Sequence, residues 1–414
     1  MQSILIYMFT THIPRHHRLP EVFSVLTLRS VRLIFMALLL TTDAEAITRK
    51  QALGQALFSD TSLSTPAGQS CASCHSPDHS FVDPDEDEPT SEGVIEGRYG
   101  NRNTPTLFYA AMSPVFHFSR AEALFIGGQF DDGRAEDLKI QAQKPFFNPL
   151  EMNNSSPADL VGKVRVAPYV SLFRSVYGQD ALDDPKAALM RITDAISAFE
   201  KTVRFNPYAS KYDRYMEGST QFTDQERRGR DIFEREDKGN CAACHPSRPS
   251  ENGKQRPLFT DHTYDNLGVP RNPNNRFYVQ PTEYNPQGFA YVDIGLGDHI
   301  RKASENGKFK VPTLRNIEKT APYMHNGYFK TLRGVIDFYN SRDIKPVCID
   351  PMTPEEQALA QGCWPPPEVP INVNHDELGR LGLSLGEMAD LEVFLRTLTD
   401  RPKETKGVVR VIAE

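Results

Sequence analysis

Cysteine is scarce, with only six in 414 residues, so a disulfide-built scaffold is excluded. Charge of one sign is also missing: 47 Lys and Arg face 54 Asp and Glu, for a net charge of −7. That balance leaves no basic footprint for nucleic acid or for an anionic membrane surface. No apolar run reaches the length of about 20 residues that a membrane span needs. The longest, from about Leu33 to Leu40, follows Arg15, Arg18, Arg29 and Arg32 and precedes Ala44-Glu45-Ala46. This is the layout of a secretory signal peptide over residues 1–46, with an uncleaved anchor as the alternative. Once it is cleaved, an acidic, exported chain without stable membrane insertion is expected.

Chain length permits two or three units of ordinary domain size, and 31 prolines against 26 glycines announce long irregular connections. Strand signals are sparse. Apolar positions three and four apart predict helices at about 135–144, 158–177, 185–201 and 208–216. Thr223 with Glu226, and Ser384 with Glu387, form capping boxes that open two more, the latter running to about Leu398. Leu332, Val335, Ile336 and Tyr339 fall on one face of a further helix. Residues 246–311, crowded with Pro, Gly and Asn, read as a long loop layered over something else, such as a cofactor. The class is mainly α.

Four of the six cysteines stand in two copies of C-x-x-C-H, Cys71 to His75 and Cys241 to His245. Each copy follows a Gly and an apolar-Phe pair, Gly54 with Leu57-Phe58 and Gly229 with Ile232-Phe233, so the chain carries a duplicated unit. Thiols one helical turn apart suit thioether bonds to a haem, and the next residue offers an imidazole to the iron. A zinc or redox site is the rival, but zinc tetrads usually hold their pairs close in sequence, unlike these. His79, His117, His262, His299, His325 and His375 remain for the distal faces, with the methionines. Cys348 and Cys363 are left over and would form one disulfide in an exported chain, or two buried thiols otherwise.

From about residue 47 to 400 the chain resembles the bacterial dihaem cytochrome c peroxidases, and more closely their MauG-like branch, which oxidises residues on another protein. The stretches that carry the resemblance are CASCH, RNTPTL (102–107), DGRAEDL (132–138), NPLEM (148–152), GRDIF (229–233), CAACH and VPTLRNIEKTAPYMHNG (311–327). The resemblance implies two cytochrome-c-like haem domains packed together, 47–215 with the peroxide site and 216–414 with an electron-transferring haem. It places Glu151, Gln141 and Pro145 beside the first haem, where a carboxylate can move a proton between the oxygens of H2O2. It places Tyr339, fourteen residues past His325, on the second iron, where ordinary peroxidases have Met; Met324 is the alternative ligand. A phenolate is a hard anionic donor and favours a more oxidised iron. A calcium ion would take Asn103 through its side chain and Thr320 and Pro322 through carbonyls.

The sequence departs from the family in three places. Val94 stands where ordinary peroxidases have a histidine capping the first iron, leaving His79 as a weak substitute. Asp131 replaces the Trp between the haems, so Phe130, a nearby Tyr or direct tunnelling would connect them. Residues 107–130 and 341–375 are longer than the family pattern, and the second stretch holds the only Trp, Trp364. The resemblance then implies a periplasmic oxidase that reacts with H2O2 at the His75 haem, stores oxidising equivalents at a His245/Tyr339 haem and oxidises a side chain of an exported protein. The first alternative is a peroxidase fed by a small cytochrome or cupredoxin, and the second is a pure electron-transfer cytochrome.

Overall fold

A computed structural model describes residues 46–249, 255–401 and 410–412; the segment read as a signal peptide lies outside them, apart from its last residue. The described chain is mainly helical with long loops. Its frame is one arrangement made twice. A capping box, Thr48 with Gln51, starts the helix Arg49–Phe58, which crosses the helix Pro185–Glu200 at Gly54. In the second half the predicted boxes both form: Thr223 with Glu226 starts Asp224–Glu234, and Ser384 with Glu387 starts Leu385–Arg396. These two helices cross at Gly229.

Both crossings are backbone against backbone. A Cβ added at Gly54 would sit 2.0 Å from the Ala195 carbonyl oxygen, and one at Gly229 would sit 2.0 Å from that of Asp390. A side chain at either point must push the helices apart, so Gly229→Ala should cost about 1–3 kcal/mol, the usual range for overpacking. Gly162, inside the helix Pro157–Val166, meets nothing. Gly162→Ala should be neutral or stabilise by about 0.4–1 kcal/mol through the unfolded chain. Urea unfolding of the three matured proteins checks the contrast, and equal midpoints would refute it.

Around each crossing lies a separate apolar core. The first runs from Leu53 to Phe205 and holds Phe58, Phe199 and Phe205 in mutual edge contact. The second runs from Tyr212 to Leu398 and groups Phe233, Phe259 and Phe394 around Tyr212. The helix carrying Tyr212, Lys211–Met216, therefore packs with the second core. Arg315, whose side chain is fully buried, fixes that helix by two hydrogen bonds of 2.9 Å to Asp213.

The structure corrects two helix expectations. The stretch 158–177 is two helices, Pro157–Val166 and Val170–Tyr177. Pro168 forces the break: it has no N–H, and it drives Ala167 to an extended ψ of 148°. The stretch 135–144 gives only single turns, Leu138–Gln141 and Lys144–Phe147, the latter opened by Pro145. The long loop 246–311 holds just short pieces, including Tyr264–Asp265 paired antiparallel with Phe309–Lys310. Within the insertion 341–375, Cys348 and Cys363 are joined in a disulfide.

Candidate functional site

Both Cys-x-x-Cys-His segments form tight turns, helical at Cys71–Cys74 and 3-10 at Cys241–Ala243. Their four thiols are unpaired and, with His75 and His245, line one continuous cavity. Burial holds both imidazoles neutral, with pKa lowered to about 4. Each is aimed by backbone groups, Phe81 and Pro105 for His75 and Phe259 and Pro312 for His245. His75 Nδ1 donates to Phe81 O at 3.1 Å, and His245 Nδ1 to Phe259 O at 2.7 Å. That fixes the tautomer and leaves each Nε2 lone pair for a metal, the fit a haem iron demands.

Sequence reading missed these two anchors. Phe81 and Phe259 occupy the left-handed region, φ 56° and 54°, uncommon for bulky residues. A threonine holds each strained turn: Thr106 Oγ1 donates to Ser80 O (2.7 Å), and Thr313 Oγ1 to Leu258 O (2.6 Å). The signal was present, since Pro-Thr-Leu occurs at 105–107 and again at 312–314.

At the first CxxCH, the turns Leu138–Gln141 and Lys144–Phe147 and the loop after them bring Gln141, Pro145 and Glu151 to the cavity wall. Asn148 Nδ2 donates to Glu151 Oε1 at 2.6 Å, and burial still raises the Glu151 pKa. Val94 donates its amide to Glu151 O (2.9 Å) and is absent from the cavity wall. His79 is likewise no pocket residue, being partnered with Ser76 in an exposed turn. A second carboxyl went unnoticed in sequence. Glu200 is buried on the wall with no ion-pair partner among the described residues, and burial pushes its pKa up to about 8. It closes a regular helix, and no local pattern marks it.

At the second CxxCH, the apolar face of the helix Leu332–Ser341 points into the cavity: Leu332, Val335, Ile336 and Tyr339 all line it. The Tyr339 hydroxyl makes no hydrogen bond to a described residue, and burial followed by the Cys241 and Cys244 sulfurs raises its pKa. Met324, at φ 72°, also lines the wall. Cys244, Asp265 and Glu377 approach one another closely, but Cys244 belongs to the CxxCH pair and the three need no separate ion.

Between the two ends the wall is polar. Arg102 bridges Asp132 (2.7 Å) and Asp293 (2.6 Å). Asp131 lies buried there with its pKa raised by burial, near Lys310, whose own pKa falls to about 8. Phe309 stacks on His325 at 3.6 Å. The Phe130 ring carries the Arg134 guanidinium at 3.7 Å. Asn103 Nδ2 lies 2.6 Å from Pro322 O, and Thr320 shares the wall. With the amide turned, these groups offer neutral oxygens that suit a hard cation.

Duplicated imidazoles over paired thiols in one cavity define a haem-dependent oxidoreductase with two centres. The chain belongs to the di-haem cytochrome c peroxidase family, whose sequence profile matches residues 48–221. It is 41% identical over 362 residues to the methylamine utilization protein MauG of Paracoccus denitrificans, covering 85% of this chain and 89% of that protein. The cytochrome c peroxidase Ccp of Escherichia coli is 32% identical over 299 residues, 72% of this chain and 53% of that protein. Among solved structures, the diheme peroxidase BthA from Burkholderia thailandensis superposes with a TM-score of 0.73 at 31% identity, covering 89% of this chain and 91% of that one.

Proposed function

We propose that the chain is an exported, periplasmic MauG-type oxidase that uses H2O2 to oxidise a side chain of a separate protein. Cys71, Cys74 and His75 would hold one haem covalently, and Cys241, Cys244 and His245 the other, as cofactors of the two halves, the helix Lys211–Met216 going with the second. When bound, the two haems supply the redox chemistry, passing two electrons to each H2O2. Glu151 takes the proton from one peroxide oxygen and returns it to the departing one, while Asn148 holds its carboxylate toward the cavity. Gln141 and Pro145 shape the peroxide space. Asn103, Thr320 and Pro322 would hold calcium in the seam. No helix among the described residues is long and apolar enough to cross a membrane.

The observation that carries this reading is Tyr339, a half-buried phenol on the cavity wall beside the Cys241 and Cys244 sulfurs. A cation bound there would draw off its proton. The presence of Met324 on the same wall favours one second reading, a peroxidase fed by a small redox protein.

The first test is of composition. Protein matured by haem-attaching cells should carry two haems per chain that survive acid-acetone extraction, measured as pyridine haemochrome. Cys71→Ala with Cys74→Ala should retain one. A count of one or none in the parent protein would end the reading.

A further inference from the structure

Trp364, the only tryptophan of the chain, is 2% exposed and lies in the insertion 341–375, next to the Cys348–Cys363 disulfide. Its ring meets Phe338 edge-on at 5.3 Å and Phe329 at 5.9 Å. Phe338 is the chain neighbour of Tyr339 on the helix Leu332–Ser341. The outer side is thin. Trp364 is bridged to Val347, which is 66% exposed, and its amide bonds Pro346 O at 3.1 Å. The insertion sets an oxidisable ring under the partly exposed Lys345 and in aromatic contact with Phe338 on the Tyr339 helix.

We propose that Trp364 relays single electrons between the protein surface and the second haem, an inference that rests on the oxidase reading above. The indole gives one electron to the second haem, which loses one oxidising equivalent. Lys345 Nζ lies 4.8 Å from the indole ring and opposes a cationic radical. Oxidation is therefore coupled to loss of the Nε1 proton, for which a path exists. Trp364 Nε1 donates to Ser341 Oγ at 3.0 Å. Ser341 Oγ lies 2.6 Å from Asp337 O and 3.3 Å from Asp337 Oδ1, and Lys345 pairs with Asp337 Oδ2 at 2.5 Å. The Nε1 proton moves to Ser341 Oγ as the serine hydroxyl proton moves to Asp337. A docked donor then returns one electron, and the proton comes back along the same bonds.

Because the chain has one tryptophan, isotope labelling reports on Trp364 alone. The holoprotein, grown with ring-deuterated tryptophan, is treated with one equivalent of H2O2 and frozen for electron paramagnetic resonance. A radical whose hyperfine pattern narrows with the label is expected. Trp364→Phe should lose that signal and slow re-reduction by ferrous cytochrome c roughly tenfold or more, a barrier increase of about 1.4 kcal/mol. Trp364→Tyr, oxidisable like the parent, should recover part of the rate, which a merely structural role would not require. A signal blind to the label, together with Phe and Tyr variants reduced at the same rate, overturns the relay alone. If Trp364→Phe does not fold, the labelled parent protein decides by itself. Failure of the parent to form any peroxide-oxidised state overturns the oxidase reading, and the relay with it.

Discussion

Tyr339→Met abolishes the long-lived oxidised state that one equivalent of H2O2 leaves on the holoprotein, and with it oxidation of a partner protein. If Tyr339 binds the second iron as proposed, its phenolate compensates positive charge there and a thioether would not, so the variant's potential rises and its hold on oxidising equivalents fails. Consumption of H2O2 with an artificial donor persists, because Glu151 and the first pocket are untouched. Stopped-flow absorbance after peroxide addition measures the lifetime, and redox titration the potential. Met324→Leu is the companion variant and should keep both properties of the parent. The opposite pattern, Tyr339→Met unchanged and Met324→Leu defective, would make the peroxidase reading the correct one.

Glu151→Gln slows the reaction with H2O2 by roughly 10²–10⁴-fold, the range for losing a positioned acid-base group. Gln keeps the shape and the contact with Asn148 but accepts no proton. The pH profile gives the sharper readout. Burial raises the Glu151 pKa above the ordinary carboxylate range. The carboxylate must be ionised to take the peroxide proton, so the parent's rate should fall as pH drops through that raised value. Gln removes this acid limb. An unaltered rate, or an acid limb that survives the substitution, would take Glu151 out of the chemistry.

Features set by residue type and short spacing were legible before the structure: both CxxCH turns, two capping boxes, the Leu332–Tyr339 face and the Cys348–Cys363 pair. Even there the apolar face of the Tyr339 helix points to a cavity, since periodicity shows which residues share a side and not what that side meets. The helix read through 158–177 broke because one missing N–H at Pro168 outweighs a good apolar pattern on both sides. The carbonyls that aim His75 and His245 were illegible for a different reason. They depend on a left-handed turn at Phe81 and Phe259, where glycine or asparagine would have given warning. Glu200 is buried by tertiary packing alone, and nothing near it in sequence distinguishes it from a solvated helix end.

The buried thiols dictate an order of manufacture. In the closed fold Cys74, Cys241 and Cys244 have pKa values pushed up to about 12, and Cys71 is shifted the same way. Thiols so protonated are poor nucleophiles. Thioether bonds must therefore form while the chain is still open, before the helix crossings at Gly54 and Gly229 lock. The assembly line must keep each half unfolded until its cofactor is sewn in.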